Sequence, residues 1–184
     1  LMAAAGFVEA FGEHELAEGY RKGAAALREA AVRHLYLPEA RCFARGLLVP
    51  EEGEPVIDRV VDASICGTYL FGLLSPEDLR VAETMQSVRN KLWCGTGVGG
   101  LARYENDAYY RTTQEMPGNP WFVTTLWHAQ YQIAKARTIS ELEPALEILE
   151  WTAAHALTSG ILAEQIDPRS GAPLSVSPLT WSHA

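Results

Sequence analysis

The sequence predicts an all-α fold built from stacked helical hairpins, as in an α/α toroid or solenoid. Several long segments are rich in Ala, Leu, Glu and Arg and place apolar residues at helical spacing. Residues typical of helix ends bracket these segments, and two long connections, 94–118 and 158–176, separate them. Because long ordered connections in helical proteins often carry function, these two are the first places to look for a site.

The first half of the chain contains two predicted helices and one irregular stretch. The segment HELAEGYRKGAAALREAAVRHLY (14–36) ends before Pro38, which disfavours continuation of a helix. The stretch 38–61 is rich in Pro, Gly and Glu, and we expect it to carry at most a small hairpin. The short segment 62–74 is nearly all apolar with Asp62 as its N-cap, so we expect it to be buried on most sides.

Four more helices are predicted in the second half, each with a recognisable start signal. They are SPEDLRVAETMQSVRNKLW (75–93), NPWFVTTLWHAQYQIAKAR (119–137), SELEPALEILEWTAAHAL (140–157) and SPLTWSHA (177–184). We expect Ser75 to cap the first and Asn119 to begin the second, each followed by proline at the first helical position. Ser140 and Glu143 have the spacing of a capping box for the third.

Size and charge exclude several classes of function. The 184 residues are enough for one domain with a real core, and the content of 48% hydrophobic and 21% charged residues is ordinary for a globular protein. The formal charge of −8 argues against a nucleic-acid partner and against an anionic membrane surface. No apolar run reaches the roughly 18 residues that span a bilayer. An uncharged substrate such as a sugar remains compatible with this charge.

The cysteines and the chain ends bear on location and completeness. Cys42, Cys66 and Cys94 are far apart and lack metal-ligand spacing, so we expect buried reduced thiols, no zinc site and a reducing, cytoplasmic location. The opening LMAAAGFVEAFGEHE lacks a basic stretch and is a poor signal peptide. Since the chain begins without Met and both begins and stops in helix-like sequence, we expect it to be a piece of a longer protein.

The segment GTGVGG (95–100) matches the spacing of a dinucleotide-binding fingerprint, but that spacing alone is weak. A predicted helix precedes it and no good helix start follows it. We therefore expect a glycine C-cap and a tight loop through which backbone passes closely, with no nucleotide site.

Two stretches offer the residue types of a sugar site. LARYENDAYY (101–110) brings Arg103, Tyr104 and Asp107 into one short loop. Charged groups bond sugar hydroxyls in pairs, and aromatic rings cover the C–H faces. A surface Arg–Asp pair with packing tyrosines would have the same composition. Trp121 lies near the start of its helix, where its ring could face a cleft. We expect Trp127 to lie in the core and His128 to be a helix residue whose ring is satisfied by hydrogen bonds.

Glu164 is the candidate catalytic residue of LAEQIDPRSG. It follows Ile161, Leu162 and Ala163, and a carboxylate that emerges from an apolar run is either paired or functional. A structural glutamate would explain the same pattern.

Taken together, GGLARYENDAYY, GNPWFVTTLWHAQY and GILAEQIDPRSGAPLSVSPLTWSHA resemble the motifs of glycoside hydrolase family 15, the glucoamylase-like family, in order and spacing. The resemblance also covers DASICGTYLFGLLSPEDLRV and spans nearly the whole chain. It implies that residues 1–184 are the C-terminal part of a single (α/α)6 toroidal catalytic domain of bacterial or archaeal type. It also implies that the N-terminal part of the same polypeptide is missing here.

The resemblance implies hydrolysis of α-glucosidic bonds from the non-reducing end with inversion, without a metal or organic cofactor. Glu164 then corresponds to the general base, and Arg103 to a residue that binds substrate hydroxyls. Tyr104, Asp107 and Trp121 shape the pocket, and Gln165 supports the base. An inverting glycosidase needs a second, protonated carboxyl group across the scissile bond. The Trp-Glu motif that carries this acid in the family is absent here, so we expect the acid upstream and this chain alone to be inactive.

Three alternatives remain open at this point. Within the same family, trehalose competes with maltooligosaccharides or starch ends as the substrate. A non-catalytic helical scaffold or carbohydrate-binding module would keep the fold without the chemistry. A nucleotide-binding enzyme would follow only if GTGVGG proved to be a phosphate loop.

Overall fold

The computed structural model describes all of residues 1–184 and confirms the all-α class. The helices are α1 (Met2–Ala10), α2 (His14–Leu35), α3 (Gly67–Leu70), α4 (Leu79–Leu92), α5 (Phe122–Lys135), α6 (Glu143–Ala154) and α7 (Thr180–His183). Helices α1 and α2 pack as one helical hairpin, joined by an ion pair between Glu9 and Arg21, and α5 and α6 pack as another. The predicted stacking of helical hairpins is therefore present.

Six short strands form three separate two-stranded antiparallel sheets. They are β1 (Tyr36–Leu37) with β2 (Cys42–Phe43), β3 (Gly46–Leu48) with β4 (Val56–Asp58), and β5 (Gln165–Ile166) with β6 (Pro173–Leu174). The β3–β4 pair is the small hairpin expected within 38–61. The third pair was not predicted, and it lies directly after Glu164.

Helix α4 starts three residues later than the sequence predicts. Ser75 is not its N-cap; that position belongs to Asp78, whose carboxylate accepts a hydrogen bond from the backbone N–H of Arg80 at 2.9 Å. The Ser75 carbonyl instead accepts from the Asp78 N–H and closes a turn. Pro76 therefore stands in that turn, and the carboxylate nearest the first orphan N–H groups caps the helix.

Helices α5 and α6 also begin later than predicted. Asn119 does not begin α5, because residue 121 is still extended and pairs with neighbouring loops. The capping box before α6 is formed by Thr138 and Glu141, and it opens a 3₁₀ turn over Ile139–Leu142. The expected pair of Ser140 and Glu143 was therefore wrong by two residues, although the kind of signal was right.

The segment 62–74 combines a 3₁₀ turn (Ala63–Cys66) with α3, and Asp62 caps it as predicted by accepting from the Ser64 N–H at 2.8 Å. The expectation of burial on most sides was wrong at its far end, since Phe71 is 85% exposed.

The main core lies where one face of α4 meets β2, the 3₁₀ turn Ala63–Cys66 and the start of the long connection. Val81, Met85, Val88 and Leu92 are buried at helical spacing on α4. The three cysteines are buried and unpaired, as expected. Burial raises the pKa of both Cys66 and Cys94 to about 12, so these thiols stay protonated.

One surface groove between the end of α5 and α6 is almost wholly apolar. Ile133, Ile139, Leu146 and Leu149 line it, and each is at least 47% exposed. No helix of the structure is both long enough and apolar enough to cross a membrane.

Candidate functional site

Three single-residue antiparallel bridges assemble the site from distant parts of the chain. Trp93 pairs with Leu101, Leu101 with Trp121, and Trp121 with Gln165. These four residues therefore form a continuous backbone ladder across the end of α4, the long connection, the start of α5 and the loop after α6. The ladder brings the predicted site residues of three separate motifs into one region.

Two threonine hydroxyls of α5 fix the centre of the ladder. The Thr125 hydroxyl accepts from the Leu101 N–H at 2.9 Å and donates to the Trp121 carbonyl at 2.6 Å. The Thr124 hydroxyl donates to the Leu101 carbonyl at 2.7 Å. Because all four residues are buried, these bonds replace contacts with water that the backbone groups cannot make.

Arg103 is held in one orientation by Asp107. Its Nε and one terminal nitrogen donate to the two carboxylate oxygens, each at 2.9 Å. The guanidinium carbon lies 4.7 Å from the Trp121 ring centroid and 5.0 Å from that of Tyr104. Burial opposes the charge of Arg103, but the bonds and attraction from Asp107 outweigh it and leave the pKa of Arg103 above its ordinary value. Arg103 is thus a fixed cation among aromatic rings.

Arg103, Tyr104 and Trp121 line one cavity of about 300 Å³. Its other lining residues are Asp62, Ser64, Val123, Thr124, Trp127 and Trp181. Asp107 is buried and lies behind Arg103, so it acts on this cavity through the arginine. One cation and three tryptophans around a small concave space are suited to a neutral polyhydroxylated ligand.

Glu164 lies on a segment that the end of the chain holds in place. The Ala163 carbonyl accepts from the Ser182 hydroxyl at 2.7 Å, and the Leu162 N–H donates to Nε2 of His183 at 2.9 Å. The Glu164 N–H donates to the Val176 carbonyl at 2.9 Å. Its side chain is half-buried and does not line the 300 Å³ cavity, and its Oε2 is buried without a hydrogen-bond partner.

Gln165 connects the glutamate to the ladder. Its Oε1 accepts from the Asn119 amide at 2.7 Å, and the same amide donates to the Tyr110 carbonyl at 2.8 Å. The Asn119 side chain therefore joins the long connection to Gln165. Because its amide is used in this way, Asn119 does not cap α5. The following turn is held by Asp167, which accepts from the Ser170 N–H at 2.8 Å. Its bonds, led by that one, lower the pKa of Asp167 to about 2.

The glycine segment behaves partly as expected. Helix α4 ends at Trp93 in an extended conformation, so the expected glycine C-cap was wrong. The expected close passage is real, because a Cβ on Gly100 would lie 2.7 Å from the Trp151 ring and 2.8 Å from Pro120. A helix precedes the segment and the extended ladder follows it, which is not the strand–turn–helix context of a dinucleotide site.

Sequence reasoning missed four residues of this region. Trp127 was assigned to the core, and Asp62 was recognised only as a helix cap, yet both line the cavity. Trp181 and His183 received no role, although one lines the cavity and the other holds the Glu164 segment. Their position inside the last quoted motif was the available signal. His128 was expected to be fully satisfied, but its Nδ1 has no partner.

Comparisons with known proteins agree on the family and the fold. The family described as glycosyl hydrolases family 15 matches residues 1–184. A glycosyl hydrolase of Methanocaldococcus jannaschii, described as uncharacterized, is 29% identical over 168 residues, which are 86% of this chain. A crystal structure of a bacterial glucoamylase complexed with acarbose superposes with a TM-score of 0.81 at 21% identity over 99% of this chain. A structure described as a wild-type glycosidase gives 0.73 at 22% identity, also over 99%.

This chain spans only part of each of these proteins. It covers 25% of the length of the archaeal relative, 30% of the glucoamylase and 46% of the glycosidase. The match to glucoamylase over so small a share identifies the stacked hairpins as a portion of the larger (α/α)6 toroid.

Proposed function

Because this chain belongs to glycosyl hydrolases family 15, we propose that it is the C-terminal part of the catalytic domain of an exo-acting α-glucoside hydrolase that inverts anomeric configuration. The observation that carries the proposal is the Oε2 atom of Glu164, a buried carboxylate oxygen with no hydrogen-bond partner. Buried polar atoms are normally bonded, so an unbonded one calls for an explanation. A general base has a reason to keep such an oxygen free for a water molecule.

In this proposal Glu164 takes a proton from the water that attacks the anomeric carbon. A protonated carboxyl group donates to the leaving oxygen from the opposite side, about 6.5–9.5 Å from the base. We assign this acid to the part of the polypeptide that precedes Leu1. Because the acid contributes roughly 10²–10⁴-fold, residues 1–184 alone are expected to be inactive.

The cavity lined by Arg103 would bind the sugar at the non-reducing end. Arg103, fixed by Asp107, would donate to hydroxyls, since a bidentate ion pair leaves its remaining N–H groups oriented. Tyr104, Trp121 and Trp181 would cover apolar faces of the ring. None of these steps needs a metal or a cofactor. The three buried free thiols support a cytoplasmic location for the whole protein.

We propose an α-linked glucose oligosaccharide as the substrate class, in line with the acarbose bound by the structurally similar glucoamylase. Trehalose is the second candidate, because it presents the same terminal α-glucosyl group. The two substrates are distinguished directly by experiment.

The test uses the full-length protein and follows glucose release from maltotriose and from trehalose by proton NMR. The expected result is β-glucose first from maltotriose, or β-glucose and α-glucose in equal amounts from trehalose, because the leaving glucose of trehalose keeps its α configuration; the rate should be about 10²–10⁴-fold lower in Glu164→Gln. Glu150→Gln is the matched control, because Glu150 is an exposed carboxylate on α6 that forms no ion pair. Undiminished release in Glu164→Gln would remove the base assignment, and α-glucose as the sole initial glucose product would remove inversion.

A further inference from the structure

A second cavity of about 440 Å³ lies between α4, α5 and α6 and shares no lining residue with the first. Each of the three helices contributes to its wall. Arg89 and Trp93 come from the end of α4, His128 and Lys135 from α5, and Glu147 from α6. Its volume falls within the range of roughly 300–1,000 Å³ that is usual for small-molecule sites.

The two cations of this cavity have no anionic partner in the chain. The Arg89 guanidinium carbon lies 3.6 Å above the centre of the Trp93 ring, yet Arg89 forms no ion pair. The Lys135 ammonium lies 5.2 Å from the Tyr131 ring centroid and is also unpaired. Glu147, the one carboxylate in the lining, bonds neither of them. In a chain of net charge −8, two neighbouring unpaired cations need an explanation.

Stacking on Trp93 holds Arg89 without using its hydrogen-bonding edge. A guanidinium on a ring face keeps its N–H groups directed sideways, where they can form a two-pronged contact with an oxyanion. Burial lowers the pKa of Arg89 below its ordinary value, which shows that the cation is partly withdrawn from water without compensation.

His128 adds a neutral side chain to the same wall. It is 5% exposed, and its Nε2 lies 3.0 Å from the side-chain nitrogen of Gln132. When that amide donates, Nε2 is the acceptor and the ring proton resides on the buried Nδ1. Burial, followed by the charges of Arg89 and Lys135, lowers the pKa of His128 to about 4. The ring is therefore neutral at pH 7, and Arg89 and Lys135 remain the cations of the cavity.

We propose that this second cavity binds a small phosphate ester, with the phosphate on Arg89 and Lys135. A phosphate dianion carries more charge and more acceptor oxygens than a carboxylate. It therefore binds more strongly to two separate cations, one of which is the forked guanidinium of an arginine. The space exceeds that of an inorganic ion and leaves room for a sugar-sized body beside Trp93 and Trp151. Gln86, Gln132 and Glu147 supply the amide and carboxylate groups that bond hydroxyls.

Isothermal titration of the full-length protein in a phosphate-free buffer tests this. Glucose 6-phosphate is the probe, with inorganic phosphate and glucose as its two halves. We expect saturable binding of glucose 6-phosphate and weaker binding of inorganic phosphate. Glucose, which the first cavity would accept as the hydrolysis product, should bind equally well to the wild type and to Arg89→Gln. The Glu164→Gln protein should bind equally well, so that loss of the proposed hydrolase chemistry and loss of this site are distinguishable.

Arg89→Gln should weaken binding about 10–100-fold, the usual effect of removing a charge-assisted bond. Lys91→Gln is the matched control, since it removes one positive charge from the same helix outside the cavity, and it should stay within about twofold. Lys135→Gln, at an exposed position, provides a second test if Arg89→Gln does not fold. Absence of saturable binding of both phosphates, or equal weakening of glucose 6-phosphate binding by Arg89→Gln and Lys91→Gln, would overturn the proposal.

Discussion

Substitution of Gly100 by alanine should destabilise the protein more than any other glycine-to-alanine change in the same loop. Gly100 has a φ of +86°, and a Cβ there would lie 2.7 Å from the Trp151 ring and 2.8 Å from Pro120. A left-handed conformation costs a non-glycine residue about 1–2 kcal/mol, and overpacking of a tight site costs about 1–3 kcal/mol. The reduced freedom of the unfolded chain returns about 0.4–1 kcal/mol. The net loss is therefore about 1–5 kcal/mol.

Two other glycines separate the cost of the left-handed φ angle from the cost of the close contacts. Gly160 has a φ of +79° but open space around its Cβ position, so its alanine variant should lose about 1 kcal/mol. Gly97 has neither feature, and its variant should stay within about 0.5 kcal/mol of the wild type. Urea unfolding of the three full-length variants, followed by tryptophan fluorescence, measures the series. Equal losses at Gly100 and Gly160 would refute the claim that close passage of the backbone, rather than its φ angle, dominates.

Two further predictions concern α5. Thr125→Val removes the acceptor for the buried Leu101 N–H and should lower the free energy of unfolding by about 1–3 kcal/mol. Thr152 is the control, because its hydroxyl bonds only the Ile148 carbonyl of its own helix, and Thr152→Val should cost less than about 1 kcal/mol. The backbone amide hydrogen of Leu101 should exchange faster in Thr125→Val than in the wild type, and Thr152→Val should leave its exchange rate unchanged. The pKa of His128 is lowered to about 4, so between pH 6.5 and 4 the unfolded chain binds a proton that the folded chain does not. As the pH is lowered from 6.5 to 4, the free energy of unfolding should decrease by about 3 kcal/mol in total. Above pH 6.5 this histidine should not affect stability. Arg89, Lys135, Tyr131 and Glu147 surround the ring, so the comparison is with His128→Gln, and parallel pH profiles of the two proteins would contradict the prediction.

Helix existence followed from local chemistry, whereas the start of α5 depended on contacts between distant segments. The apolar spacing of 75–93 and 119–137 was sufficient to predict α4 and α5. Asn119 looks like a cap in the sequence, but its amide is bonded to Gln165, 46 positions further along the chain. The backbone at Trp121 is extended because it pairs with two other loops. No local pattern encodes such pairings. The starts of α4 and α6 moved for a different reason, since a neighbouring residue of the same kind forms each cap.

The same reasoning explains which site residues were predictable. Arg103 and Asp107 are four positions apart, and their pairing is a local event that a short motif can indicate. Trp181 and Arg103 line the same cavity from positions 78 residues apart. Their proximity depends on the backbone ladder, which single-residue bridges build from loops rather than from regular strands. Resemblance to a family placed the motifs together, but it did not indicate which aromatic rings meet the arginine.

Helix α5 is the wall between the two cavities, and this explains its unusual burial. Val123, Thr124 and Trp127 line the first cavity, while His128, Gln132 and Lys135 line the second. A helix with only one buried face could not present residues to both. The hydroxyls of Thr124 and Thr125 bond the ladder at the N-terminal end of α5, where the first cavity lies, and His128 with its unpartnered Nδ1 lies one turn later. Trp93 belongs to the same ladder and lines the second cavity, so the backbone that assembles the first cavity also reaches the second.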